Sequence, residues 1–428
     1  MIPTEWLQYA PKPKAVNSGE WNVFLSYRSV NRPWVLHLYD VLTELGYKVF
    51  LDQYVLKPGD ELITVLEDAL EKSQAAVLIW SNAAKDSDWV RKEYNTLERM
   101  STDNKEFRFV PVIIEPSKLP PFAANKIFVD FSEYPDGPNG GDLLRLLHAI
   151  VGVPLSDAAV HFANDQDELS KEQVVKVNAA IKNGNADKLI QLAQQDILPW
   201  KTSSALGCRA ANGLIKMKQY DEAIAILDNL QKQFKKAVRP KQLEALALAR
   251  RGKDGDLDNA MEMLGELHEN NHLDPETMGI YGRTWMDRYE KTKDTSDLLQ
   301  SRDLYAEGFE KAPDDYYTGI NAAAKSVFIG TGDDLKKAAD YAARVQLITG
   351  TEAVPNDYWR TATIAEVLLI QKKYKEAGDM YTKAVAMART EKGSHESSWL
   401  QARRLMDKLK PTDEERSYIR QAFAHLPD

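Results

Sequence analysis

Over the first 150 residues, short apolar runs alternate with stretches of helical periodicity. VFLSY (Val23 to Tyr27), KVFLD (Lys48 to Asp52), AAVLIWS (Ala75 to Ser81), FVPVII (Phe109 to Ile114) and IFVDF (Ile127 to Phe131) are rich in β-branched and aromatic residues, which predicts five buried strands. Between them the spacing predicts helices over Trp34 to Leu45, stopped by Gly46, over Leu62 to Leu70, over Trp89 to Met100 with Asp88 as cap, and over Leu143 to Val151. Strand and helix in strict alternation with short connections predict a parallel sheet with right-handed crossovers. Five such strands make a flavodoxin-like doubly wound sheet the expected topology, with a ligand site outside the carboxyl ends of strands one and three. Those ends carry Tyr27, Arg28 and Ser81, and Trp89 and Glu93 fall on the helix after Ser81.

The pattern changes near Gly152. Residues 153–170 are polar and mixed and read as a linker, and from Lys171 onward only helical patterns remain. A large apolar residue followed three positions later by Ala recurs at Tyr220-Ala223, Leu257-Ala260, Leu335-Ala338 and Tyr374-Ala377, with Ser301 in the Ala place after Leu298. Spacings of 37 to 41 residues between these marks predict an α-solenoid of tetratricopeptide-like helix pairs over 171–428, the small residue allowing close approach of the partner helix. Residues 1–20 read as an N-terminal arm and 21–152 as the sheet domain.

Composition narrows the function. A net charge of −9 disfavours a nonspecific nucleic-acid binder. The single cysteine, Cys208, excludes an intramolecular disulfide, fits a cytoplasmic location, and reads as a small buried hydrophobe. No apolar run reaches the length of a membrane span, and the first residues lack the layout of a signal peptide. No GxGxxG opens a helix after a strand, no P-loop occurs, and the seven histidines show no metal-ligand spacing. The cluster Gly137, Gly140 and Gly141 sits in a polar loop and reads as a turn.

FLSYRS, KVFLDQYVLKPGDEL, VLIWS and DWVRKE, taken together, resemble a TIR domain covering about residues 21 to 152. Ser29-Val30-Asn31-Arg32 departs from it, standing where many TIR domains carry an acidic residue. Farther on, GIYGRTWMDRY (Gly279 to Tyr289), LYAEGFEKAPDDYYTGINAA (Leu304 to Ala323) and YWRTATIAEVLL (Tyr358 to Leu369) resemble the TRAF-binding central region of the apoptosis signal-regulating kinases, without any counterpart of the kinase itself. That second resemblance implies a docking or gating module, with an unknown protein or ligand on the repeats.

The TIR resemblance implies NAD⁺ as substrate rather than cofactor, and Glu93 matches the glutamate that catalyses NAD⁺ cleavage in active TIR domains. Trp89 and Glu93 are four residues apart and share a helix face. A carboxylate beside an aromatic surface suits an oxocarbenium-like sugar transition state. Tyr27 and Arg28 offer a stacking surface and a pyrophosphate contact, Trp89 stacks, and Asp52 and Ser81 hydrogen-bond ribose or the loop. By the same resemblance the loop with Tyr54, Leu56, Pro58 and Gly59 is where TIR domains pack on one another. The expected function is thus an NAD⁺ nucleosidase releasing nicotinamide and linear or cyclic ADP-ribose, an immune or cell-death effector controlled by assembly. The alternative is a non-catalytic TIR scaffold.

Overall fold

The computed structural model describes residues 2–51, 62–82, 97–117, 128–389 and 391–427. The chain forms two compact units, Met1–His272 and Leu273–Asp428.

In the first unit a short helix α1 (Thr4–Leu7) precedes the sheet strands β1 (Trp21–Ser26), β2 (Val49–Phe50), β3 (Ser73–Trp80), β4 (Arg108–Ile113) and β5 (Val129–Asp130). All pairings are parallel, in the order β2-β1-β3-β4-β5, so the chain reverses direction of growth between β1 and β3. This is the doubly wound order expected from the apolar runs. β1 lies in register with β3 through Val23 opposite Ala75 and Ser26 opposite Leu78. Helices α2 (Arg32–Glu44), α3 (Leu62–Glu71) and α4 (Gly140–Val151) cover the sheet. On one face Phe24, Ala76, Leu78 and Trp80 pack with Phe50 and with Leu70 of α3. Phe24 and Phe50 stack with ring centroids 5.1 Å apart.

The N-terminal arm is held by the sheet domain and by Phe162 beyond it. Trp6 is buried, Tyr9 stacks on Phe162 at 4.4 Å, the Tyr47 hydroxyl donates to the carbonyl of Pro11, and the Asn22 amide donates to that of Lys14.

The stretch 153–170 differs most from its reading as a linker. From Asp157 it is the first half of one 26-residue helix, α5 (Asp157–Lys182). Its buried residues there, Ala159, Ala163, Gln166 and Ser170, are small or polar, so the apolar periodicity that announces a helix is missing. α5 lies against α4. Asp167 Oδ1 accepts from the amides of Gly141 (2.7 Å) and Asp142 (3.2 Å), capping α4 from outside. The glycine cluster is part of this joint and not merely a turn, because a Cβ on Gly141 would come within 2.0 Å of the Ala163 carbonyl oxygen.

Helix α6 (Ala186–Ala193) follows, then the pairs α7 (Ala205–Lys216) with α8 (Tyr220–Gln233) and α9 (Val238–Arg251) with α10 (Asp256–Glu269). The second unit contains three more pairs, α11 (Pro275–Thr292) with α12 (Thr295–Lys311), α13 (Tyr316–Ile329) with α14 (Gly332–Thr349) and α15 (Tyr358–Ile370) with α16 (Tyr374–Met387), and then α17 (Lys392–Leu409) and α18 (Asp413–Ala422), of which α18 packs on α16. The compact units therefore divide within 171–428, at His272/Leu273 and not at the end of the sheet domain. Each recurring mark opens the second helix of a pair, and Ala223, Ala260, Ser301, Ala338 and Ala377 are all buried. A small residue lets the two helices of a hairpin approach closely. No described helix is long and apolar enough to cross a membrane.

Candidate functional site

Tyr27 and Arg28 leave the end of β1 half-buried, and Ser81 leaves the end of β3 almost fully buried. Parallel pairing of β1 with β3 brings these ends together at the switch point. Asp52, Tyr54, Leu56, Pro58, Gly59, Trp89 and Glu93 lie outside the described residues.

The turn after β1 carries two residues that pattern reasoning passed over. Ser29–Asn31 forms a single 3₁₀ turn, and α2 starts directly behind it with Pro33 in its first turn, where a missing N–H costs nothing. Asn31 holds the cap position of α2, yet its side chain makes no capping bond. Its Nδ2 instead donates to Ser81 Oγ at 2.7 Å, tying the loop after β1 to the end of β3. Arg32 is buried with its guanidinium 5.2 Å from the centre of the Tyr27 ring, a cation–π contact that fixes the ring's orientation. An Asn just before a helix ordinarily reads as a cap, which is why its cross-strand role gave no signal in the sequence.

The rim continues along the next strand ends. The amide of Ile114 donates to the Trp80 carbonyl at 3.2 Å, and the amide of Asn82 donates to a carboxylate oxygen of Glu115. Backbone and side-chain bonds thus fasten the ends of β1, β3 and β4 to one another. The result is a polar edge with an aromatic ring, guanidinium groups and a hydroxyl, suited to a ligand with both a flat ring and anionic groups. Among the described residues no group of three or more His, Cys, Asp or Glu side chains is placed to hold a metal ion. Cys208 is buried, and burial raises its thiol well above the ordinary range, as fits a packed and unreactive side chain.

Two family models match parts of the chain. Residues 23–146 match the family described as TIR domain, and residues 219–326 match the family described as Tetratricopeptide Repeats-Sensor. The chain is 31% identical over 109 residues to the TMV resistance protein N of Nicotiana glutinosa, a match covering 24% of this chain and 9% of that protein. It is 29% identical over 94 residues to a probable 2′ cyclic ADP-D-ribose synthase, TcpB, of Brucella melitensis biotype 1, covering 22% of this chain and 37% of the relative. The chain thus spans well under two thirds of these relatives' own length. Among solved structures, a thermophilic TPR protein of Thermus thermophilus aligns over 46% of this chain and 96% of its own, at 14% identity and a TM-score of 0.37. The TPR2AB domain of yeast Sti1 aligns over 57% of this chain and 100% of its own, at 16% identity and a TM-score of 0.21. The chain carries a TIR domain over residues 23–146, followed by a tetratricopeptide sensor region over residues 219–326.

Proposed function

We propose that this chain cleaves the nicotinamide–ribose bond of NAD⁺. The observation that carries the reading is the edge at the β1/β3 switch point, where Tyr27, Arg28 and Ser81 converge within a TIR domain. The similarity to a probable 2′ cyclic ADP-D-ribose synthase supports the same class of chemistry. Glu93 is the proposed catalytic carboxylate, stabilising positive charge on the ribose as nicotinamide leaves with the bonding electron pair. Water adding at the anomeric carbon then gives ADP-ribose, and a ribose hydroxyl of the same molecule gives a cyclic product. Trp89, Asp52, Tyr27, Arg28 and Ser81 are the proposed binding residues. The loop with Tyr54, Leu56, Pro58 and Gly59 is the proposed contact between neighbouring TIR domains.

The repeats are the proposed control element, since tetratricopeptide-like helix pairs usually mediate protein interactions. In this reading the protein is a cytoplasmic immune effector whose turnover rises as copies assemble, proximity replacing a bimolecular encounter. The test is incubation of the full chain with NAD⁺ over a hundredfold range of protein concentration, with products separated by chromatography. Nicotinamide release that rises per protomer with concentration, and is abolished by Glu93→Gln, is the expected result. Absence of any nicotinamide at every concentration favours a scaffold without catalysis.

A further inference from the structure

We infer that Asp40 is a positioning residue: by seating α2 on the start of α9, beside the start of α7, it holds the loop Tyr27–Asn31, and with it the proposed substrate site, in place. The inference rests on the NAD⁺-cleaving reading for its functional half only.

α2 reaches both places. Its amino end carries Arg32 against Tyr27 and follows Asn31, which holds Ser81. Asp40 lies eight residues along the same helix from Arg32, about 12 Å at the helical rise. Helical rods transmit such a displacement whole.

His37 and Asp40 are three residues apart and so share one face of α2. Both are buried, at 3% and 5% exposure, and both are polar. What covers them is the start of two helices from beyond the TIR domain. His37 Nδ1 lies 2.9 Å from the hydroxyl of Ser204, the residue just before α7. Asp40 faces the start of α9, where Ala237 has no side chain to cap the helix and the amide of Val238 is the group that favours the charged carboxylate. Neither Asp40 oxygen makes a regular hydrogen bond.

The surrounding contacts leave little play. A Cβ on Gly137 would lie 2.7 Å from the Ala205 Cβ and 2.9 Å from the His37 ring. Arg209 of α7 pairs with Asp136 at 3.2 Å, and the Asn139 amide donates to the Pro199 carbonyl at 2.9 Å. Burial raises the Asp40 carboxyl well above the usual carboxylate range. A leucine would fill this space at lower cost, and a buried polar group retained at such cost is best explained by fixing register, here of α9 on α2.

The experiment is hydrogen–deuterium exchange on the full chain, with NAD⁺ turnover measured in parallel, for wild type, Asp40→Asn and Asp40→Leu. Asp40→Leu is expected to raise exchange in residues 27–36 about fivefold while α11–α18 stay protected, and Asp40→Asn, which keeps size and an acceptor, to restore wild-type protection. Turnover of the Leu variant is expected to show KM raised about fivefold with kcat within about twofold. If circular dichroism shows that Asp40→Leu does not fold, Ser204→Ala, which removes the hydroxyl facing His37, is read the same way. Unchanged exchange in 27–36, or a rise spread evenly over the whole chain, overturns the inference. A wild-type protein that consumes no NAD⁺ defeats the functional reading alone, and exchange then decides the coupling.

Discussion

The side-chain amide of Asn31 donates to the hydroxyl of Ser81 across the β1/β3 switch point at 2.7 Å, leaving α2 without a side-chain cap at the position where an Asn ordinarily provides one. A local stabilising bond is forgone for a bond between strand ends. Asn31→Ala and Ser81→Ala are therefore expected to impair NAD⁺ turnover by similar factors, with the double variant no worse than either. In a double-mutant cycle on stability the coupling should be about 1 kcal/mol. Independent, additive effects on turnover would show that this bond does not shape the site.

Ala338 is the first buried apolar residue of α14, 1% exposed, whereas Leu347 farther along the same helix is 87% exposed. Ala338→Leu is expected to cost about 1–3 kcal/mol through overpacking. Leu347→Ala should stay within about 0.5 kcal/mol. Urea melts of both variants check the contrast, and a neutral Ala338→Leu would mean the hairpin tolerates a wider spacing than its repeat pattern implies.

This contrast shows where the fold was legible. Strands of β-branched and aromatic residues and helices with a small residue at fixed spacing leave a periodic trace, so Val23, Ala76, Ala223 and Ala377 could be placed in the core from pattern alone. The first half of α5 left none, because it meets the start of α4 through Ala163 and Ser170 and through Asp167, whose carboxylate serves another helix. Gly141 gave a misleading sign for the same reason: its lack of a side chain serves helix contact and not chain reversal. At the site, Tyr27, Arg28 and Ser81 were findable from the rule that ligands bind at strand ends. Asn31 was not, since its partner is fifty residues away in sequence.

His37 gives a pH signature. Burial, with Arg239 nearby, lowers its imidazole from 6.5 to about 3, so the folded protein keeps it neutral over a range where the unfolded chain protonates it. Between these values the unfolded state binds more protons, so this group's contribution is present above pH 6.5 and is lost as pH falls toward 3. Relative to His37→Gln, the wild type should lose about 1.4 kcal/mol per pH unit in that window. Denaturant melts of both proteins at several pH values measure it. A constant difference between them would place a charged, solvated imidazole in the folded state.

Arg302 and Asp334 form a buried ion pair, Nη1 to Oδ1 2.7 Å, between α12 and α14. The Thr331 hydroxyl, and after it Arg302, hold the Asp334 carboxyl below the usual range. Arg302→Ala should cost about 3 kcal/mol by leaving that carboxylate buried without its cation. Arg302→Met combined with Asp334→Asn should recover at least half of the loss. Thermal melts of the single and double variants test it, and equal loss in both would assign the cost to packing rather than to charge.

Asp167 has a consequence for how such a protein can be rearranged. The carboxylate that holds the second and third amides of α4 sits on α5, past the point where similarity to other TIR domains ends. A gene fusion joined in residues 153–166 would deliver a sheet domain whose last helix keeps the Asn139 cap on Gly140 but loses the carboxylate on the Gly141 and Asp142 amides. The natural splice point is His272/Leu273, the seam between the compact units. As a transplantable part, this TIR domain travels with its first helix pairs, so chimeras that exchange the later helix pairs are expected to accumulate in soluble form only when the TIR segment runs through that seam.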